Sequence, residues 1–184
     1  MTVAILLANG TEEIEAITPV DLLSRAGINV TMLGVGSRDI AGGHDIRITC
    51  DGTVDEFSAD QVDELDAILV PGGVQGALRI AANDAANAII RKVHDAGKLV
   101  ASICASPAKV LAPLGLLDGK TWTCFPGHEE GITAGHFRED RVVTDGSLIT
   151  SRGAGTAAEW SVAVISALVG PDKAREVHDR TLQP

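Results

Sequence analysis

Positive charge is scarce in this sequence: 15 lysines and arginines stand against 25 aspartates and glutamates, a formal net charge of −10 at neutral pH. The acidic excess is spread along the chain, which disfavours nucleic acid and anionic membrane surfaces as partners. Cysteine is scarce as well. Cys50, Cys104 and Cys124 are an odd number, at spacings that fit neither a disulfide framework nor a zinc site, and this usage suits a reducing, cytoplasmic compartment. Long hydrophobic runs are absent. The apolar start, Thr2 to Ala8, is far too short to span a bilayer and lacks the basic flank and cleavage pattern of a secretion signal. Internal repeats, low-complexity tracts and interdomain linkers are also lacking. A chain of 184 residues of this kind is expected to fold as one domain over residues 1–184, burying roughly 70% of its unfolded surface.

What is present is an alternation of short apolar runs with helical patterns. Val3 to Ala8 reads as a strand, and Thr11 followed by Glu12, Glu13 and Glu15 reads as the N-cap and acidic first turn of a helix that Gly27 ends. Ile28 to Leu33 resumes as a strand. Ile40 to Cys50, with Gly42-Gly43 inside it, suits an antiparallel ribbon. Asp66 to Val70 is a buried strand halted by Pro71-Gly72-Gly73, Asp84 to Ala96 is a helix, and Lys98 to Ile103 is a strand. Further strands are expected at Thr121 to Cys124, Arg141 to Val143 and Leu148 to Thr150, with a long apolar helix from about Thr156 to Val169. The alternation predicts a mostly parallel central sheet covered on both faces, a flavodoxin-like three-layer α/β/α sandwich. Sites in such sheets form beyond the carboxyl ends of the strands. Ala8 to Glu15, Pro71 to Gly73, Cys104-Ala105 and Ser151 to Gly155 all lie at such ends.

Cys104 sits where the run Val100-Ala101-Ser102-Ile103 breaks into Ala105-Ser106-Pro107 and an amphipathic pattern of Ala108, Val110, Leu111 and Leu114. A strand turning sharply into a helix is the elbow that exposes a nucleophile above a sheet, and a thiol at a helix N-terminus is expected to titrate below its free value of about 8.5. The local pattern fits a buried core cysteine equally well. Gly72 and Gly73 suit either a turn needing positive φ or backbone N–H donors to an oxyanion, with the Ala105 N–H as a second donor. Glu15 is either a solvated helix glutamate or an acid aimed at Cys104. Gly153 and Gly155 lack the spacing of a phosphate-binding loop, so no nucleotide site is expected. His94, His136 and His178 read as surface residues, and no histidine spacing argues for a metal.

The segments AILLANGTEEIEAITPVDLLSRAGINVTMLG, ILVPGGVQGA, SICASPAKVLA and DGSLITSRGAGTAAEW together resemble the DJ-one/ThiJ/PfpI superfamily over nearly the full length, most of all its DJ-one and YajL branch. The resemblance implies that Glu15 is held protonated against a reactive Cys104 and donates a hydrogen bond to its thiolate or sulfinate. It matches Gly73 and Ala105 to oxyanion-forming positions. Protease-like members carry a histidine directly after the cysteine, where this chain has Ala105, which argues against a peptidase. Phe125 aligns where some relatives have a loop histidine, and His128 lies three residues on as an accessory candidate. His44, with Arg47 nearby, aligns where several relatives carry an arginine that reaches the cysteine from a neighbouring subunit. The resemblance further implies a homodimer through the first helix and the Gly42 to Cys50 ribbon.

These readings lead to a cytoplasmic enzyme without metal or other cofactor that acts through Cys104 on methylglyoxal, glyoxal or their early adducts, as a glyoxalase or deglycase. The alternative is a redox-sensing stress protein or holdase chaperone that uses oxidation of Cys104.

Overall fold

The computed structural model describes residues 1–183. Its first half runs β1 (Thr2–Leu7), α1 (Glu13–Arg25), β2 (Asn29–Gly34), the ribbon strands β3 (Asp39–Ala41) and β4 (Arg47–Thr49), then β5 (Gly52–Thr53), α2 (Ala59–Asp63), β6 (Ala67–Val70), α3 (Val74–Ala81) and α4 (Asp84–Asp95). The second half runs β7 (Leu99–Ile103), β8 (Thr121–Trp122), β9 (His136–Phe137), β10 (Val142–Asp145), β11 (Leu148–Ser151), α5 (Ala157–Val169) and α6 (Pro171–Arg180). Seven strands form one sheet in the order β10-β11-β7-β6-β1-β2-β5, parallel except for the β10–β11 pair.

Why the central strands are apolar throughout follows from what covers them. Alternate residues of a strand point to opposite faces, and here both faces are dry. Ala4, Leu6, Ile68 and Val70 pack against Ala77 and Ile80 of α3 and Ile90 and Val93 of α4. Val3, Ile5, Leu7, Ala67 and Leu69 pack on the opposite side with Leu22 and Leu23 of α1, Trp160 and Val164 of α5 and Val177 of α6. This is the three-layer α/β/α sandwich that the alternation predicts. Strand order reverses beside β1, which pairs with β2 on one side and β6 on the other, and so opens a crevice above their carboxyl ends.

Several local expectations are corrected. Thr11 is not the N-cap of α1; that place belongs to Glu12, without a side-chain cap. The Thr11 hydroxyl instead accepts from the Ala8 N–H at 3.0 Å, closing the turn out of β1. The segment after Cys104 is not an amphipathic α-helix: Pro107–Leu111 forms a single wide π turn. Ala112 N–H donates to the Pro107 carbonyl and Leu116 N–H to that of Leu111, five residues back in each case. Thr121–Trp122 stands outside the main sheet and pairs with β9. Among the described residues no helix is long and apolar enough to cross a membrane.

Candidate active site

Four neighbouring strands, β11, β7, β6 and β1, bring the predicted segments together. Cys104 follows β7 directly and has φ of +64°, a left-handed conformation that costs a non-glycine residue about 1–3 kcal/mol. Neighbouring backbone holds it there. Its N–H donates to the Ser151 carbonyl at 3.0 Å, and its own carbonyl accepts from the Phe125 N–H at 2.9 Å. The buried Ser106 hydroxyl donates to the Pro71 carbonyl at 2.6 Å and ties the elbow to the loop after β6.

Glu15 lies on the first turn of α1 and is only 1% exposed. Its Oε2 accepts from the Gly72 N–H at 2.8 Å, and its carboxyl meets the Cys104 thiol. Space at this point is set by glycine. A Cβ on Gly72 would lie 2.5 Å from the Cys104 Cβ, 2.6 Å from Glu15 Oε2 and 3.0 Å from the Cys104 Sγ, so only a residue without a side chain lets acid and thiol meet. Gly73 has φ of +80° and would press a Cβ into the Gly10 carbonyl and the Glu12 nitrogen. The N–H groups of Gly73 and Ala105 also reach the sulfur.

The electrostatics depart from the helix-terminus expectation. Burial, followed by the negative charge of Glu15, pushes the Cys104 thiol up to about 12, while the Gly73 and Ala105 N–H groups pull it the other way. Burial pushes the Glu15 carboxyl up to about 7, against the hydrogen bonds from Gly72 and the thiol and with some help from the charge of Glu12. Thiol and carboxyl therefore act as one pair sharing a proton above neutrality, and the charge and the hydrogen bond of Glu15 that raise Cys104 are both relieved when that proton sits on Glu15. Cys50 and Cys124 are also pushed up, to about 11 and about 12, by burial first. Neither has a fully buried carboxyl beside it; the Cys124 Sγ lies 3.9 Å from Oε2 of the half-buried Glu129 and 3.3 Å from the Phe125 carbonyl.

The other predicted residues fall outside the thiol–acid contact. His44 is exposed, and its Nδ1 lies 2.9 Å from Glu13 Oε2 and 3.7 Å from Glu12 Oε2, while its backbone N–H donates to Glu13 Oε1 at 2.7 Å. Burial raises the Glu13 carboxyl, but the bonds from His44 prevail and hold it below its ordinary value, and the His44 imidazole is raised in turn. His44 thus clamps the ribbon to the start of α1. Glu12, Glu13 and His44 also bring three ligand atoms within 4.8 Å of one another, an arrangement their mutual hydrogen bonds account for. His128 packs its ring 5.9 Å from that of Phe125. Sequence reasoning missed the Thr156 hydroxyl, which bonds Ser151 Oγ at 2.6 Å and the Gly153 backbone and so fixes the loop after β11. A small hydroxyl residue three positions after a glycine was the available signal.

The model of the DJ-1/PfpI family matches residues 1–167. The chain belongs to the DJ-1/PfpI family. Protein DJ-1 homolog A of Arabidopsis thaliana is 39% identical over 177 residues, which is 96% of this chain but 44% of that protein, so the chain spans less than half of this relative's length. A protein named as a deglycase from Pyrococcus horikoshii is 35% identical over 154 residues, 83% of this chain and 90% of its own. Among solved structures, oxidized DJ-1 of Toxoplasma gondii superposes with a TM-score of 0.92 at 31% identity, covering 98% of this chain and 97% of that one.

Proposed function

We propose that this protein converts small α-oxoaldehydes, or their early adducts on amino groups, to hydroxy acids through Cys104, as a glyoxalase or deglycase without a dissociable cofactor. The observation that carries the reading is the contact between a buried carboxyl held near 7 and the thiol at the elbow, because a base poised near the working pH can both take and return a proton. The sulfur adds to the aldehyde carbon of methylglyoxal, and the thiol proton passes to the new alkoxide. The Gly73 and Ala105 N–H groups stabilise that oxygen. Ionised Glu15 then removes the proton from the sulfur-bearing carbon and delivers it to the neighbouring carbon, while the hydroxyl proton of the first carbon passes to the oxygen of the second. The first carbon is oxidised to a thioester as the second is reduced to an alcohol. Water cleaves the thioester, which releases lactate and regenerates the thiol, so no external oxidant or reductant is consumed. The deglycase-named relative supports the same class of chemistry.

The test is lactate formation from methylglyoxal by purified reduced protein, without glutathione or added metal. Cys104→Ala is expected to abolish it while Cys50→Ala and Cys124→Ala retain it; equal activity in all three overturns the reading.

The N–H cradle and the protonated form of Glu15 also suit a sulfinate, and a relative of the same fold is known in an oxidized form. This favours redox sensing as the second reading. Mass spectrometry after mild peroxide tests it: oxidation of Cys104 no faster than that of Cys50 or Cys124 removes it. Ile14 and Ile17 on α1 and Ile46 on the ribbon are 53%, 44% and 57% exposed and line one open trough of about 740 Å³ with Leu22. These exposed isoleucines support a homodimer formed through α1 and the ribbon.

A further inference from the structure

We propose that Phe125 is a specificity wall beside Cys104 and that it selects α-oxoaldehydes carrying a planar apolar substituent, above all an aryl group, over unsubstituted glyoxal. The proposal rests on the carbonyl reading given above.

Aromatic side chains are few: three phenylalanines, two tryptophans and no tyrosine. Trp122 and Trp160 are fully buried, and Phe57 and Phe137 pack against the core. Phe125 alone among the five is exposed, at 46%. A single exposed apolar residue is ordinary on a protein surface, so exposure does not carry the argument. Position does. The Phe125 N–H donates to the carbonyl of Cys104 itself at 2.9 Å, which fixes this loop to the nucleophile's own backbone. The ring then leans over Gly153. A Cβ at Gly153 would lie 3.2 Å from Phe125 Cδ2 and 3.7 Å from Cε2, and the same point is 3.9 Å from Glu15 Oε1.

Gly153 has φ of 167°, extended backbone that any residue adopts, so it is the ring and not the conformation that the missing side chain accommodates. The aromatic edge and the acid therefore flank a single point beside the elbow. An aldehyde attacked at Cys104, with the proton on that carbon directed at Glu15, has its remaining substituent to place, and the ring offers that group an apolar aromatic surface. His128 packs its ring 5.9 Å from that of Phe125. Aryl groups gain from such a face through offset or edge-to-face contact, whereas the hydrogen atom of glyoxal gains nothing.

The experiment compares kcat/KM for phenylglyoxal and glyoxal in the wild type, Phe125→Ala and Phe125→Leu. The phenylglyoxal-to-glyoxal ratio is expected to fall about tenfold in Phe125→Ala, and by less in Phe125→Leu, which keeps apolar bulk without a flat face. A ratio preserved in both variants overturns the proposal. A second readout needs no turnover: the rate at which Cys104 is alkylated by phenacyl chloride relative to chloroacetamide. This ratio is expected to fall in Phe125→Ala by a similar factor, and an unchanged ratio overturns the wall whatever the turnover data. A fallen alkylation ratio in a protein that consumes neither aldehyde upholds the wall and overturns the turnover reading alone.

Discussion

The shared proton predicts an unusual pH profile for the reactivity of Cys104. With Glu15 near 7 and Cys104 near 12, the pair carries one negative charge from about neutrality upward. That charge is distributed between thiol with carboxylate and thiolate with carboxylic acid. Only the second form alkylates, and it is a fixed fraction of the singly charged pair, so the rate follows the ionisation near 7 and not the one near 12. Alkylation of Cys104 by iodoacetamide should then climb about 50-fold from pH 5 to pH 7 and only about twofold from pH 7 to pH 9. A thiol titrating alone near 12 climbs about a hundredfold over each interval. Glu15→Gln keeps an acceptor for the Gly72 N–H but cannot hold the proton, so its profile should lose the plateau and keep rising to pH 9. Rates are read by mass spectrometry of the Cys104 peptide, with Cys50 and Cys124 as internal references. A wild-type profile that rises a hundredfold between pH 7 and pH 9, or a plateau that survives in Glu15→Gln, refutes the coupling.

Stability should carry the same signature. Glu15 is raised from an ordinary 4.5 to about 7, so its neutral form is tolerated below 4.5, and the fold loses about 3 kcal/mol as pH rises from there through 7. Glu15→Gln should therefore be the more stable protein at pH 8 by up to that amount and lose its advantage near pH 4.5, as read by urea denaturation at both values; an equal difference at both contradicts the assignment. Gly72→Ala places a methyl between acid and thiol; overpacking of this kind costs about 1–3 kcal/mol and should abolish lactate formation while the far-ultraviolet circular dichroism is kept, and a fully active variant would show that the contact is dispensable. Light scattering at micromolar concentration should give a dimer mass for the wild type and a monomer mass for Ile14→Glu combined with Ile17→Glu; an unchanged mass moves the interface off α1.

How much of this was legible in the sequence depended on the range over which each feature is determined. Val3 to Ala8, Ala67 to Val70 and Leu99 to Ile103 could be read as strands because a strand buried on both faces is apolar almost throughout, and these residues are all buried, Ser102 with its hydroxyl donating to the Val70 carbonyl. The elbow was readable for the converse reason, since that run ends abruptly in small residues. α3 was not. Gly76 weakens its helical signal by about 1 kcal/mol relative to alanine, and its reason lies 65 positions away, where a Cβ would lie 2.7 Å from the Thr11 nitrogen. The wide turn after Pro107 was hidden too, because Val110, Leu111 and Leu114 carry an α-helical spacing that tertiary packing overrides.

The direction of the Cys104 shift failed on the same ground. A helix terminus is a local feature and predicts a lowered thiol, whereas burial and the Glu15 charge arrive from elements distant in sequence and outweigh it. What the sequence did carry across that distance was glycine. Gly72 and Gly153 are both places where a side chain would intrude on the site, the first between thiol and acid and the second into the Phe125 ring beside that acid. Neither Gly72 nor Gly153 lies in the left-handed region, so conformational freedom does not explain either residue. Close approach does, which makes these two positions the ones at which an alanine should test the chemistry with the least disturbance of the backbone.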